Sequence, residues 1–278
     1  MTKPVAPFLS AQGHIEVHQI PVAQDNLSWL IRVTGSDEAA VVDGTEAEAV
    51  LAYCKKLGVR LTTVLNTHTH WDHIGVNLGL RALGLLSAVR VVGSKLQAHN
   101  IPGLTHPVGE GDVVSLGSAS AKVLLTEGHM DGHICFLFDD ILFCGDTLFG
   151  GGCGYIFDGP PSKMHHSLNR LATLPRSTRV CCAHEYTEDN MRFAWSVEPD
   201  NELLKERVSR VRQVRQKGGC TVPSTIGEEL DTNPFMRCDS PTIAAKLRST
   251  FPSRDLSSSE AIFTAIRELK DRKDYKQL

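Results

Sequence analysis

Three imidazoles and one carboxylate, His68, His70, Asp72 and His73, fall within six positions of the run Thr67-His68-Thr69-His70-Trp71-Asp72-His73. Histidine and aspartate are ordinary ligands of zinc and related divalent ions, so this density points to metal chemistry. Side chains two apart in extended chain point the same way, which lets His68 and His70 converge on one ion. Asp72 and His73 come after a turn and are placed for a second ion beside the first. A lone histidine is more often a hydrogen-bonded polar residue, but four such ligand types in six positions are poorly accounted for that way.

Three further segments carry residues of the same kind. His129 lies in Glu127-Gly128-His129-Met130-Asp131-Gly132-His133, Asp146 in Phe143-Cys144-Gly145-Asp146-Thr147, and His184 in Cys182-Ala183-His184-Glu185-Tyr186. Each comes after an apolar run that reads as a strand. In a layered α/β protein, strand ends on one edge of the sheets can assemble a site from distant segments. Singly, His129, Asp146 and His184 would each be read as satisfied polar residues; their shared placement at strand ends makes them ligand candidates.

The elements that must position these groups are legible in outline. Strands are expected over residues 14–20, 27–33 and 39–43, then a helix begun by the capping box Thr45-x-x-Glu48 and stopped by Gly58. The β-branched run 61–66 is the strand that delivers the histidine motif, and a helix from residue 74 to about 86 and a strand at 89–92 come next. Strands return at 122–126, 134–138 and 141–144, with Asp139-Asp140 as a hairpin turn. After the glycine-rich stretch 150–154 the pattern predicts a helix capped by Ser162, then a strand at 179–182. Beyond about Asn190 only helices are expected, one over 202–217 and one boxed by Ser257-x-x-Glu260, with 223–237 irregular.

Composition narrows the function classes. With 278 residues, 41% hydrophobic and 22% charged, the chain can bury a full core as one large domain or one large and one small. No apolar run approaches the ~18 residues of a membrane span, and the N-terminus lacks a basic region followed by an apolar one, so a cytoplasmic protein is expected. Eight cysteines without a Cys-x-x-Cys pair suit buried reduced thiols better than a disulfide framework. Residues 1–189 hold 13 basic and 19 acidic groups, and 190–278 hold 16 and 13. That imbalance favours an anionic ligand near the C-terminal part and is too small for a nucleic-acid surface.

Taken together, these segments resemble the glyoxalase II family of hydroxyacylglutathione hydrolases, within the metallo-β-lactamase-fold superfamily. The His-x-His-x-Asp-His motif carries the superfamily resemblance. Gly152-Cys153-Gly154, His184-Glu185-Tyr186-Thr187, Pro223-Ser224-Thr225, Asn233-Pro234-Phe235-Met236-Arg237 and Arg267-x-x-Lys270-Asp271 carry the family resemblance, which covers nearly the whole chain. It implies an α/β fold, a four-layer αββα sandwich over residues 1–189 with a small helical substrate-binding domain over 190–278. One ion would take His68, His70 and His129, the other Asp72, His73 and His184, with Asp146 bridging. His133 and Asp43 would then support the ligands without joining them.

Two divalent ions, zinc first with iron or manganese as alternatives, would lower the pKa of a shared water from ~15.7 towards about 7. The expected nucleophile is hydroxide shared by the two ions, with Asp72 and Asp146 as catalytic residues, attacking a thioester whose thiol, with a pKa of about 8.5, leaves without a dedicated acid. No Gly-x-Ser-x-Gly elbow competes with that mechanism. The resemblance implies hydrolysis of S-2-hydroxyacylglutathione, such as S-lactoylglutathione, in methylglyoxal detoxification. For the carrier it implies Tyr155, Phe157, Tyr186, Arg267 and Lys270, although relatives commonly have Lys or Arg where Tyr155 stands, so another thiol carrier is an alternative. A persulfide dioxygenase and a non-catalytic binding protein are the other classes. A small-molecule substrate, no nucleic-acid or membrane partner, and a monomer or weak oligomer complete the expectation.

Overall fold

The computed structural model describes residues 2–277. Its first sheet is built from β1 (Phe8–Leu9), β2 (Ile15–Val22), β3 (Asn26–Val33), β4 (Glu38–Val42), β5 (Arg60–Leu65), β6 (Arg90–Ser94) and β7 (His106–Val108), in that spatial order. Pairing is antiparallel from β1 to β4 and parallel from β4 to β7. Helices α1 (Ala47–Leu57) and α2 (Gly75–Ala82) supply two of the three crossovers, and a 3-10 segment over Lys95–Asn100 lies in the third. A second sheet holds β8 (Val113–Leu116), β9 (Ala119–Leu125), β10 (Ile134–Phe138) and β11 (Ile141–Gly145). After a small hairpin of β12 (Leu148–Phe149) and β13 (Gly152–Cys153) and the helix α3 (Pro161–Ala172), β14 (Arg179–Cys182) joins that sheet in parallel beside β11.

Period-two alternation sorts the strand residues between two cores. Leu27, Trp29, Ile31 and Val33 of β3 face the second sheet, where Phe136, Phe138 and Phe143 meet them, while Leu30 faces the other way with Val41, Val64 and Val91 against Val50, Cys54, Val76 and Leu80 of α1 and α2. With α3 packing Met164, Leu168 and Leu171 on the second sheet, the layers run helix, sheet, sheet, helix, as expected for the αββα sandwich. The C-terminal part is mainly helical: α4 (Thr187–Val197), α5 (Glu202–Gln216), α6 (Ile226–Thr232), α7 (Pro241–Thr250) and α8 (Ser259–Arg272). All eight cysteines are buried and unpaired, and no described helix is long and apolar enough to cross a membrane.

Several local expectations are corrected. The box at Thr45 does not form: Glu46 is the N-cap without a side-chain bond, and Thr45 Oγ1 is buried unpaired, because Gly44 and Thr45 are drawn against the start of α2. Helix α2 ends at Ala82 instead of running to 86, since Gly84 turns left-handed at φ 72° and residues 86–88 form a separate 3-10 turn. Ser162 lies inside the first turn of α3, which Pro161 starts with its fixed φ. Residues 223–237 are ordered: β15 (Ser224–Thr225) adds an antiparallel edge to β14, so the C-terminal part is not helical alone, and α6 and a 3-10 turn come after it. Helix α8 is capped by Ser258, whose Oγ accepts from Ala261 N at 3.1 Å, because Ser257 is held by Asp255.

Candidate metal centre

Strand β5 runs parallel between β4 and β6 and ends at Leu65, so the histidine motif emerges at the sheet edge beside the ends of β4 and β11. The motif then doubles back, with His73 N and Ile74 N both donating to His70 O, before α2 begins. This turn puts His68 and His70 on one side and Asp72 and His73 on the other. His129 arrives between β9 and β10, Asp146 directly after β11, and His184 just past β14.

Two groups of lone pairs result. His70 Nδ1 lies 3.0 Å from His68 Nε2 and 3.0 Å from His129 Nε2. Ligands about 2.0–2.1 Å from one tetrahedral zinc are separated by roughly 3.3 Å, so this trio is close to a preformed ligand set. On the other side, His184 Nε2 and His73 Nε2 stand 3.4 and 3.8 Å from Asp72 Oδ2. Asp146 faces both groups: its Oδ2 is 3.4 Å from His129 Nε2, and its Oδ1 is 3.4 Å from His73 Nε2 and 3.5 Å from His184 Nε2.

The donor atoms fit divalent ions on a separate test. Among the buried side-chain atoms left without a hydrogen-bond partner are His73 Nε2 and Asp146 Oδ1, which face each other across the second group. Leaving such polar atoms buried and unsatisfied costs about 1–3 kcal/mol each. A cation in their midst removes that cost.

The far side of nearly every imidazole is tied. His129 Nδ1 donates to Tyr155 O at 2.7 Å, His184 Nδ1 to Asp25 Oδ1 at 2.9 Å, and His73 Nδ1 to Asp43 Oδ2 at 2.9 Å. Thr67 Oγ1 donates to Asp43 Oδ2 at 2.7 Å and so accepts from His68 Nδ1 at 3.0 Å. These bonds fix the tautomers that aim the opposite nitrogen inward. Asp43 holds its position at φ 53°, a left-handed backbone seldom found outside glycine. His133 is occupied on both nitrogens, by Asp146 N and by the hydroxyls of Thr126 and Thr147, as a supporting residue would be.

Charge obeys the same division. Burial, with the neighbouring imidazoles, pushes His68 well below its ordinary range, and burial lowers His70 and His129 against the pull of Asp146, so the trio offers neutral nitrogens. Burial opposes charge on His184 too, but Asp146 and the bonds to Asp25 and Asp72 outweigh it and raise His184 to about 9. His73 is driven the same way by Asp146 and Asp43. Burial opposes ionisation of Asp72 and Asp146, and the histidines outweigh it, holding both well below the usual carboxylate range.

Around the centre, Tyr155 and Phe157 are 55% and 59% exposed and meet edge to face, with Phe157 set against His70 and His129 at ring separations of 5.0 and 5.2 Å. Tyr186 stacks on His184 at 4.7 Å, and burial with the nearby carboxylates keeps its phenol protonated. Arg267 and Lys270 are not on a solvated helix face. Both are buried, Arg267 donating to Asp271 and to Cys153 O, and Lys270 to Asp189. Burial pushes Lys270 down to about 8 against the pull of Asp189.

Two supporting residues carry no clear signal in the sequence. Asp25, in the turn between β2 and β3, orients His184 from 159 positions away, and its neighbour Asn26 donates to Asp72 Oδ2 at 2.9 Å. The only hint is a carboxylate in a turn between two buried strands. The turn meets the 183–185 segment through Leu27 N to Ala183 O and Glu185 N to Asp25 O, a pairing that links the sheets and has no local sequence signal.

Two facing sheets between helices, with a histidine and aspartate cluster at their common edge, define the metallo-β-lactamase fold, and residues 23–184 match the model of the Metallo-beta-lactamase superfamily. Residues 185–273 match the model described as Hydroxyacylglutathione hydrolase C-terminus. The chain is 48% identical over 235 residues to a hydroxyacylglutathione hydrolase of Methylococcus capsulatus, covering 84% of this chain and 91% of that one. It is 43% identical over 257 residues to a Maricaulis maris protein of the same name, covering 92% and 97%. It belongs to the hydroxyacylglutathione hydrolase family. Among solved structures it is similar to ETHE1 from Myxococcus xanthus, with a TM-score of 0.61, 26% identity and coverage of 91% and 89%. It is also similar to TTHA1623 in a di-iron-bound form, with a TM-score of 0.54, 25% identity and coverage of 83% and 100%.

Proposed function

We propose that this chain is a binuclear-metal thioester hydrolase that converts S-2-hydroxyacylglutathione, with S-lactoylglutathione as the representative, to glutathione and a 2-hydroxy acid. Its relatives carry that name, and the observation that supports it most directly is the division of Asp146 between two ligand groups. His68, His70 and His129 would hold one ion, Asp72, His73 and His184 the other, and Asp146 both. The di-iron form of TTHA1623 supports two ions and keeps iron beside zinc as the metal.

When bound, two such ions supply a water acidic enough to ionise near neutral pH and positive charge for a carbonyl oxygen. The chain's own residues do the rest. Asp146 sets the spacing of the two groups, and Asp25, Asp43 and Thr67 keep the imidazoles turned inward. Phe157 sets an apolar ring beside His70 and His129, and Tyr186, its phenol kept protonated, stacks on His184 at the opposite rim. Water oxygen bonds to the acyl carbon, the C–S bond breaks, and the departing sulfur needs no protonated side chain because a thiolate is stable enough to leave. Tyr155, Phe157 and Tyr186 would meet the carrier directly, with Arg267 and Lys270 lending charge from beneath.

Residues 1–189 would form the catalytic part and 190–278 the part that completes the substrate side, in a cytoplasmic enzyme that is monomeric or weakly associated. The persulfide dioxygenase reading has less support, because the C-terminal model matching 185–273 is that of the hydrolase. The test is metal analysis and S-lactoylglutathione hydrolysis on one preparation, with Asp146→Asn beside it. Two ions per chain, and loss of both metal and turnover in the variant, are expected. Full turnover at one ion per chain, or an unimpaired variant with two, would overturn the assignment.

A further inference from the structure

Helices α4, α6 and α8 contribute no candidate ligand, yet they grip the turn that leads to His129's partner. Glu229 is fully buried and accepts from Gly151 N at 2.8 Å, while its other oxygen takes Arg207 Nη2 at 2.6 Å. Asn233 Nδ2 donates to Gly152 O at 3.0 Å and also meets Glu229. Asn190 Nδ2 donates to Gly150 O at 3.1 Å, and Arg267 Nη1 to Cys153 O at 3.3 Å. Four successive residues, Gly150 to Cys153, are therefore each held through the backbone by a different side chain of the C-terminal part.

The residues just past this turn clamp His129. Tyr155 O fixes the His129 tautomer, and Phe157 N donates to His129 O at 3.0 Å. Gly154, between the turn and this clamp, lies so close that a Cβ there would stand 2.1 Å from Asp146 O and 2.8 Å from His129 Nδ1. Gly151 is equally constrained, at φ 68° with Met191 filling the space a side chain would need. The turn has no slack with which to absorb a shift, so a displacement at Cys153 reaches the Tyr155 carbonyl.

We infer that Glu229, Asn233 and Arg267 are positioning residues for the metal centre, acting through the 150–157 segment on His129 and so on the group formed by His68, His70 and His129. The other group shares Asp146, but its two histidines are held by Asp25 and Asp43 from the first sheet, outside this brace. The inference rests on the proposal that both groups hold ions. It assigns to Arg267 a task distinct from any contact with substrate.

The test is stepwise titration of metal-free protein with zinc against a chromophoric chelator, for wild type, Arg267→Ala, Arg267→Lys and Glu229→Gln, with a melting curve of each metal-free variant. Loss of a partner behind a ligating histidine commonly costs ten- to a hundred-fold in affinity. One of two binding steps should weaken about ten-fold or more in Arg267→Ala and in Glu229→Gln while the other stays within about two-fold, and Arg267→Lys should recover part of the loss. Either variant decides the matter if the other fails to fold. Wild type with two steps and variants with both steps unchanged, or both weakened in parallel with the melting temperature, overturns the brace alone. Wild type that takes up fewer than two zinc ions overturns the two-ion reading and the brace with it.

Discussion

Asp146 and the two raised histidines set how the centre competes for metal. A cation reaches His73 and His184 only by displacing their protons, and His184 holds its proton up to about 9. The sign is then fixed: above pH 9 His184 is already neutral, and as pH falls from 9 towards 7 the apparent affinity of that group should fall, by up to about ten-fold per unit for each proton displaced. Calorimetric titration at pH 7.5 in buffers of different ionisation enthalpy should show net proton release on metal uptake, and a heat independent of buffer would count against it. Tyr155 raises a different question, since an exposed phenol stands where the family resemblance implies a cation, and Arg267 and Lys270 are already paired with Asp271 and Asp189. A charge-assisted hydrogen bond contributes roughly 1.5–3 kcal/mol, so Tyr155→Lys should lower KM for S-lactoylglutathione about ten-fold with kcat little changed. An unchanged KM means that residue 155 does not face the carrier, and a raised one means that the phenol is itself the contact. The seven candidate ligands were legible from residue type and position at strand ends, and the structure brings them together. Asp25 and Asn26 were not, because nothing local to a turn reveals that it will meet a strand end 159 positions on.

At the level of the element, periodicity located the longer strands and the helices α1, α2, α3, α5 and α8, whereas α4, α6, α7 and the strands β1, β7, β8, β12, β13 and β15 had no placement in the sequence pattern and the caps that begin helices were misplaced. Strand 179–182 and the hairpin at Asp139-Asp140 agree with their expected positions, since alternation and turn chemistry are local properties. Serine and threonine near a helix start are ambiguous by contrast, because any of several can turn its oxygen to a free N–H, and tertiary packing chooses. Helix α8 gives a clean case. Ser258 Oγ accepts from Ala261 N, and Ser257 N is engaged by Asp255 instead. Losing a working N-cap costs about 0.5–2 kcal/mol, so Ser258→Ala should lower unfolding free energy by that amount and Ser257→Ala by a few tenths at most. Denaturant melts of the two variants check this, and a larger loss at 257 would move the cap back to where the sequence pattern had put it. The segment 223–237 was missed as structure for a related reason: β15 is two residues long and exists because β14 offers it an edge.

Over the whole molecule, the change from mixed to helical character near residue 190, with the shift in charge balance, suggests two parts, and their packing joins them. One continuous core runs from Trp29 and Phe143 through Val180 and Leu168 to Phe193, Phe235, Phe263 and Ile266. Strand β15 closes the edge of the second sheet, Lys3 exchanges backbone hydrogen bonds with Gly218 and Cys220, and Gln19 Nε2 donates to Val222 O. Burying a large apolar side chain is worth about 1.5–3 kcal/mol, and a whole domain is stable by only about 5–15. Removing residues 190–278 would strip Phe193, Phe235 and Phe263, all fully buried, from the surfaces they cover, a loss comparable to the entire net stability. The full chain should therefore unfold in a single calorimetric transition, with calorimetric and van't Hoff enthalpies agreeing, and a 1–189 fragment should show no cooperative melt and take up no zinc. Two resolved transitions, or a fragment that melts sharply and binds metal, would mean that the helical part is an appendage to a self-sufficient sandwich and that its grip on the 150–153 turn is dispensable for folding.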